Sequence, residues 1–222
     1  MPKHFERQME NLATSLTSLC KKVEEAIEQS LLAVKDRDKE LAQKIIDQDD
    51  EIDAAEVELE ESCLKIMALY QPVAVDLRKV VAALKVNNDL ERMGDLATNI
   101  ARRAIYLAEQ KSFEIPVDFK QLVKKTKAMV EDAIKSLVSQ DAELAVHVCK
   151  TDDEVDGLNA KMHRVIFDLI GQNPADLEVF IQYLFISKNL ERIADYATNI
   201  AEDVIYMIEG DIIRHSAQRE IR

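Results

Sequence analysis

Asp89-Leu90-Glu91-Arg92-Met93-Gly94-Asp95-Leu96-Ala97-Thr98-Asn99-Ile100-Ala101 is nearly repeated a hundred residues later as Asn189-Leu190-Glu191-Arg192-Ile193-Ala194-Asp195-Tyr196-Ala197-Thr198-Asn199-Ile200-Ala201. The likeness runs outward from this block. Asp38-Lys39-Glu40-Leu41-Ala42 answers Asp141-Ala142-Glu143-Leu144-Ala145, and Asp49-Asp50-Glu51-Ile52-Asp53 answers Asp152-Asp153-Glu154-Val155-Asp156. The offset drifts only from 103 (141 − 38, 152 − 49) to 100 (191 − 91), so one unit has been duplicated and has lost a few residues in the second copy. A single duplication predicts two similar subdomains facing one another.

The composition points to helices. Only 4 Gly and 4 Pro occur in 222 residues, with 32% charged, 5% aromatic and 47% hydrophobic residues, enough apolar material for a core but too few turn formers for a sheet protein. Each half divides into three helices. Leu12, Leu16, Leu19, Val23, Ile27 and Leu31 keep helical spacing through residues 4–35, and Asp36-Arg37-Asp38 offers caps for a second helix from Asp38 to Tyr70. Gln71-Pro72 breaks that helix, and a third runs from an Asp76 cap to Glu109. The second half repeats the plan: a helix to Gln140, one from Asp141 to Ile170, a Gly171-Gln172-Asn173-Pro174 turn, and one from Asp176 to Glu209 closed by Gly210. The predicted fold is therefore all-α, two tandem pseudo-repeated three-helix bundles made of six long helices. The bundles span 1–110 and 119–222 with a linker at 111–118. Helices of about 30 residues are roughly 45 Å long, which makes the molecule elongated.

Charge and cysteine content narrow the partners. A formal net charge of −13 repels phosphate backbones and anionic lipid, so no nucleic acid and no direct bilayer contact is expected. The first residues lack the apolar stretch of a signal peptide, and no segment approaches the ~18 apolar residues of a membrane span, giving a cytoplasmic reading. Cys20, Cys63 and Cys149 are odd in number and widely spaced, which fits reduced, buried thiols rather than disulfides or a zinc knuckle.

The acidic positions carry the functional signal. Glu91 and Asp95 are four apart and emerge side by side, with Asn99 on the same stripe; Asp49 with Asp53, Asp152 with Asp156, and Glu191 with Asp195 and Asn199 repeat the arrangement. Asp53 lies 19 residues before Pro72 and Glu91 lies 19 after it (72 − 53, 91 − 72), while Asp49 and Asp95 are each 23 away. In the copy, Asp156 and Glu191 are 18 and 17 from Pro174, and Asp152 and Asp195 are 22 and 21. Folding each hairpin at its proline brings four carboxylates to one level. Such a cluster raises its own pKa values unless a cation intervenes, and oxygen ligation favours Mg²⁺, Mn²⁺ or iron. The identity stays open among Mg, Mn, Fe and Zn. One acidic pair is ordinary solvated helix surface; four pairs, duplicated and level, favour a metal site. Partial neutralisation by Arg92 and Arg192 remains a rival. His163 lies on the stripe of Asp152 and Asp156 and reads as an ordinary polar histidine before a ligand, and His4, His147 and His215 have no acidic partner at ligand spacing.

Gln71-Pro72-Val73-Ala74-Val75-Asp76-Leu77-Arg78 and Asp89-Leu90-Glu91-Arg92-Met93-Gly94-Asp95, with Asp49-x-x-Ile52-Asp53 upstream, resemble the signatures of the PhoU family of bacterial phosphate-uptake regulators. The resemblance spans both halves. It implies two three-helix bundles whose Glu/Asp-x-x-x-Asp motifs bind metal ions, often as multinuclear clusters, and it places them on Asp49 and Asp53, Glu91 and Asp95, Asp152 and Asp156, Glu191 and Asp195. It further implies a non-enzymatic negative regulator of the phosphate regulon and of phosphate uptake. The implied partners are the ATPase subunit of a phosphate ABC transporter and a sensor histidine kinase, with membrane contact only through those proteins and a homodimer as the expected assembly. Two departures limit the carry-over. Arg102-Arg103 stands where the copy has Glu202-Asp203, and Glu56 and Glu60 where it has Asn159 and His163, so equal ion occupancy of the two clusters is not expected. The alternatives are a carboxylate-bridged metal enzyme, disfavoured because no histidine has Glu three residues before it, and a metal-free structural bundle.

Overall fold

A computed structural model of the chain describes residues 3–111 and 117–210. The expected boundary at 111–118 falls largely on 112–116, and His215 on the last segment; both lie outside the described residues. The order is α1 (Lys3–Asp36), α2 (Lys39–Asp47), α3 (Asp49–Tyr70), α4 (Ala74–Ala108), α5 (Val117–Ser139), α6 (Ala142–Gln172), a 3-10 turn (Pro174–Asp176) and α7 (Leu177–Glu209). No strand occurs among the described residues. One lobe packs α1, α2 and α3 around α4; the other packs α5 and α6 around α7; α4 against α7 makes the seam between them.

Three helix boundaries differ from the sequence expectation: α6 continues through Gly171 to Gln172, where a turn is expected, and two more lie in the first half. The second helix is broken at Gln48, whose N–H turns back to Lys44 O and Ile45 O, so α3 starts afresh with Asp49 as its first residue. In the copy α6 runs unbroken through the equivalent position. The third helix starts at Ala74 instead of at an Asp76 cap: Val73 is extended, Ala74 turns the chain in left-handed geometry at φ 49°, and Asp76 N–H bonds to Val73 O, so Asp76 already lies inside the first turn. The aspartate caps are as expected: Asp38 accepts from Leu41 N–H at 2.9 Å and Asp141 from Leu144 N–H at 3.0 Å.

Ahead of each of these caps stands a non-glycine residue in left-handed geometry, Arg37 at φ 56° and its copy Gln140 at φ 53°. Glycine is the usual choice there. Arg37 repays the strain through its side chain, donating from Nη1 to Leu107 O at 2.5 Å and Gln110 O at 2.8 Å and thereby satisfying the end of α4.

The core is aliphatic and continuous. Leu90, Met93, Ala97 and Ile100 on α4 and Leu190, Ile193, Ala197 and Ile200 on α7 are all fully buried. Gly94 lets α3 come close: a Cβ there would lie 3.2 Å from Ile52 Cγ2. The copy holds Ala194 and Val155 at the equivalent positions, one methyl more and one methylene less, which keeps the local volume. Cys20 and Cys63 are buried, Cys149 is half-buried, and all three are free thiols.

The seam obeys the internal two-fold. Lys85 on α4 reaches Asp203 on α7 at 3.0 Å and lies 5.0 Å from the Tyr206 ring centroid, while Arg103 on α4 lies 4.5 Å from the Phe185 ring centroid and donates to Gln182 at 3.0 Å. Lys85 is the repeat counterpart of Phe185 and Arg103 that of Asp203, so one pair of positions is used twice with different chemistry. Asp203 is 1% exposed. Removing the cation strands a buried carboxylate, a loss that reaches 3–5 kcal/mol for a fully buried pair. Lys85 is a third exposed and Asp203 has a further contact, which lowers the figure. Lys85→Met is expected to cost about 2–3 kcal/mol in urea unfolding, and Lys85→Met/Asp203→Asn less than the two single changes added together.

Candidate metal site

The four acidic pairs sit on two hairpins, α3 with α4 and α6 with α7, and the packing decides that the pairs of each hairpin face one another. The break at Gln48 and the close Ile52–Gly94 approach bring the first turns of α3 against the middle of α4. Asp49, Glu91 and Asp95 are half-buried and Asp53 is exposed. In the second lobe Asp152 and Glu191 are half-buried, and Asp156 and Asp195 are more exposed. The rows therefore open to solvent while their inner members lie against the protein.

The electrostatics record the proximity. Burial pushes the Asp49 carboxyl above its ordinary range and Asp53 and Asp95 add to the rise, against a hydrogen bond from Thr98 and the charge of Arg102. Glu91 is raised by burial and by Asp95, then drawn back by Arg92, with Asp53 and Glu56 adding further rises. In the second lobe burial raises Asp152, a hydrogen bond from Thr198 opposes it, and Asp156, Asp153 and Glu191 push it further up. Asp156 is raised by burial and by Glu191. Asp195 shows the largest effect, pushed up to about 6 by burial and then by Asp152, Glu191 and Asp156. Within each lobe, carboxylates from two helices thus share one field.

Cations of the protein meet part of this charge differently in the two lobes. Arg92 Nε lies 3.3 Å from Glu91 and its Nη1 3.6 Å from Asp95. Arg192 takes no such part among the described ion pairs; Lys188 pairs with Glu191 instead. Asn99 is half-buried and its Oδ1 accepts from Arg102 at 3.3 Å, while Asn199 is half-buried at the equivalent place. His163 Nε2 is shielded from solvent without a hydrogen-bond partner. Among the described residues, no group of three or more His, Cys, Asp or Glu side chains converges closely enough to hold an ion as the side chains stand.

Three features escaped the sequence reading. Thr198 donates to Asp152 Oδ1 at 3.2 Å and Thr98 plays the same part for Asp49, so each hydroxyl orients one carboxylate. A polar pair also bridges each hairpin: buried Asn87 donates to half-buried Glu56, to its O at 2.9 Å and its Oε1 at 3.2 Å, and in the copy Ser187 donates to Asn159 at 2.6 Å with both buried. Lys188 replaces Arg92 as the local cation. The repeated Thr-Asn-Ile-Ala string was the available signal for the threonines, whereas Lys188 has no basic counterpart, since Asn88 stands there in the first half.

Two α-helical lobes of one duplicated plan, each with an acidic row between its last two long helices, define a tandem helical-bundle protein. The chain belongs to the PhoU family: the PhoU domain matches it twice, over residues 16–104 and 119–204. It is 35% identical over 208 residues to the phosphate-specific transport system accessory protein PhoU homolog 1 of Thermotoga maritima, covering 93% of this chain and 90% of that one. It is 38% identical over 214 residues to the PhoU homolog of Aquifex aeolicus, covering 96% and 97%. The crystal structure of PhoU from Pseudomonas aeruginosa superposes with a TM-score of 0.90 at 33% identity, over 93% of this chain and all of that one. That of the phosphate transport system regulatory protein PhoU from Streptococcus pneumoniae does so with a TM-score of 0.85 at 30% identity, over 94% and 98%. Among the described residues, no helix is long and apolar enough to cross a membrane.

The raised Asp195 has a pH consequence. Its folded pKa of about 6 lies above the ordinary 3.8, so the folded state favours the protonated carboxyl; the stabilisation is complete below pH 3.8 and is lost as pH rises through 6. In EDTA, Asp195→Asn is expected to melt higher than the wild type at pH 7.5 and to lose that advantage near pH 4. A gain of equal size at both pH values would contradict the assignment.

Proposed function

We propose that this chain is an accessory protein of a phosphate-specific transport system. In this reading it acts as a negative regulator of phosphate-responsive genes and of phosphate uptake, a metal-binding adaptor between the ATPase subunit of the transporter and a sensor histidine kinase. The observation that carries the reading is likeness to named phosphate-transport accessory proteins through both lobes, at 35% and 38% identity over more than nine-tenths of the chain. Helical lobes with solvent-open acidic rows suit a protein that presents surfaces, and partner binding then biases a conformational equilibrium in the kinase. Deleting the gene should raise phosphate-starvation transcripts in high-phosphate medium. Unchanged transcripts would overturn the regulatory role.

The acidic rows fit hard cations by their donor chemistry: four carboxylates per lobe, an oxygen-bearing asparagine beside them, no thiolate, and mutual repulsion that a bound ion relieves. Asp49, Asp53, Glu91 and Asp95 with Asn99 would hold ions in the first lobe, and Asp152, Asp156, Glu191 and Asp195 with Asn199 in the second. Bound ions would supply charge neutralisation and a fixed surface shape; Thr98 and Thr198 keep one carboxylate of each set aimed.

The lobes should differ in affinity. Arg92 and Arg102 already offset the first set, whereas Lys188 alone faces the second, which therefore gains more from a cation. Titration with Mn²⁺ is expected to show two classes of site, with Glu191→Ala/Asp195→Ala removing the tighter and Glu91→Ala/Asp95→Ala the weaker. The reverse order would refute the ranking, and no cation-dependent melting shift in the wild type would leave a metal-free bundle. Co-purification of both variants with the ATPase subunit and the kinase separates structural ions from regulatory ones. Sedimentation reads the proposed homodimer.

A further inference from the structure

α1 and α5 pass each other with an ion pair between them, Lys127 Nζ to Glu28 Oε1 at 2.5 Å, and beside it they part to leave a groove of about 810 Å³. The floor is apolar: Leu31, Val34 and Phe119 are buried beneath it, and Leu32 is 41% exposed at its edge. Lys21, Lys35 and Lys120 stand on the rim, and none of them is ion-paired among the described residues. Of the three rim glutamates, Glu28 is paired with Lys127, while Glu25, which accepts from Gln29 Nε2 at 2.7 Å, and Glu24 keep their charge; all three lie on the stretch of α1 toward Lys21, away from Lys35. The end near Lys35 and Lys120 is thus basic, on a chain whose formal net charge is −13.

Size and lining decide what fits. From Lys21 to Lys35 is fourteen residues (35 − 21), about 21 Å along α1 at 1.5 Å per residue, the length of several helical turns and more than a small anion requires. An apolar floor asks for apolar side chains, and the lysines ask for carboxylates. The internal repeat points the same way. Leu16 and Leu137 are the counterparts of Phe119 and Val34 (119 − 16 and 137 − 34 are both 103), and they line a smaller pocket of about 420 Å³ between the same two helices. Phe5 and Met9, with Glu6 and Glu10 beside them, complete its wall from the first turns of α1. α5 begins at Val117, the counterpart of Thr14, so those turns have no equivalent among its described residues.

We propose that the α1–α5 groove docks an acidic amphipathic helix of a partner protein, its apolar stripe on Leu31, Leu32 and Val34 and its carboxylates on Lys35 and Lys120. The assignment is independent of the acidic rows, which lie on other helices. The test uses two fluorescein-labelled helical peptides of about sixteen residues with one shared apolar stripe of Leu and Phe, one with Glu and one with Lys at the remaining positions. Anisotropy with the full chain should show the acidic peptide binding at least about tenfold tighter than its basic isomer. Lys35→Glu/Lys120→Glu should weaken it by about tenfold or more, and Leu32→Glu should weaken it too, with circular dichroism unchanged for both variants. Equal affinity for the isomers, or indifference to charge reversal, overturns the proposal. So does either alternative occupant: self-association that disappears in Lys35→Glu/Lys120→Glu, or co-sedimentation with phosphatidylserine vesicles that the same variant abolishes.

Discussion

Close packing of α3 on α4, and of α6 on α7, holds like charges together against their repulsion. The buried rows around Leu90, Met93 and Ile100, and Leu190, Ile193 and Ile200, fix how far the helices can separate. At the tightest point the methyls of Ile52 meet the bare Cα of Gly94. A close-packed interior yields little to a few repelling carboxylates near its surface. The packing keeps these carboxylates partly buried and side by side, and burial first, with neighbouring carboxylates adding to it, pushes Asp49, Glu91, Asp152 and Asp195 upward. Each row thus presents charges that the fold has already assembled.

Duplication followed by divergence explains why the lobes are alike in shape and unlike in charge. Steric exchanges are compensated in place: Gly94 with Ile52 in one lobe, Ala194 with Val155 in the other. Polar exchanges keep a hydrogen bond across the hairpin, from Asn87 to Glu56 in one lobe and from Ser187 to Asn159 in the other. Solvent-open positions are under no such constraint. Arg102 has become Glu202, and the nearby cation has moved from Arg92 to Lys188.

The seam applies the same logic between lobes. Because α4 and α7 run antiparallel about a local two-fold, each position meets the partner of its own copy. A cation at Lys85 facing Asp203 and a cation at Arg103 facing Phe185 are two solutions to one geometry. The pair between partly exposed Lys85 and buried Asp203 ties one position of α4 to one position of α7.

Much of the fold was legible because helices announce themselves locally. The heptad-like rows, the capping aspartates at Asp38 and Asp141, the prolines and the duplicated block determined two three-helix units and put the carboxylates of each hairpin at one level, since a helix converts residue count into height. Sequence alone left open whether Arg92 or Arg192 would meet the charge, and it did not reveal Lys188, Thr98 and Thr198, or the break at Gln48. Those depend on how each helix is rotated about its axis and on which neighbour it meets, and rotation is set by packing between segments far apart in the chain. The seam pairing of Lys85 with Asp203 and the groove between α1 and α5 are likewise tertiary. They join residues from opposite repeats, and no local periodicity records which face of one copy will lie against the other.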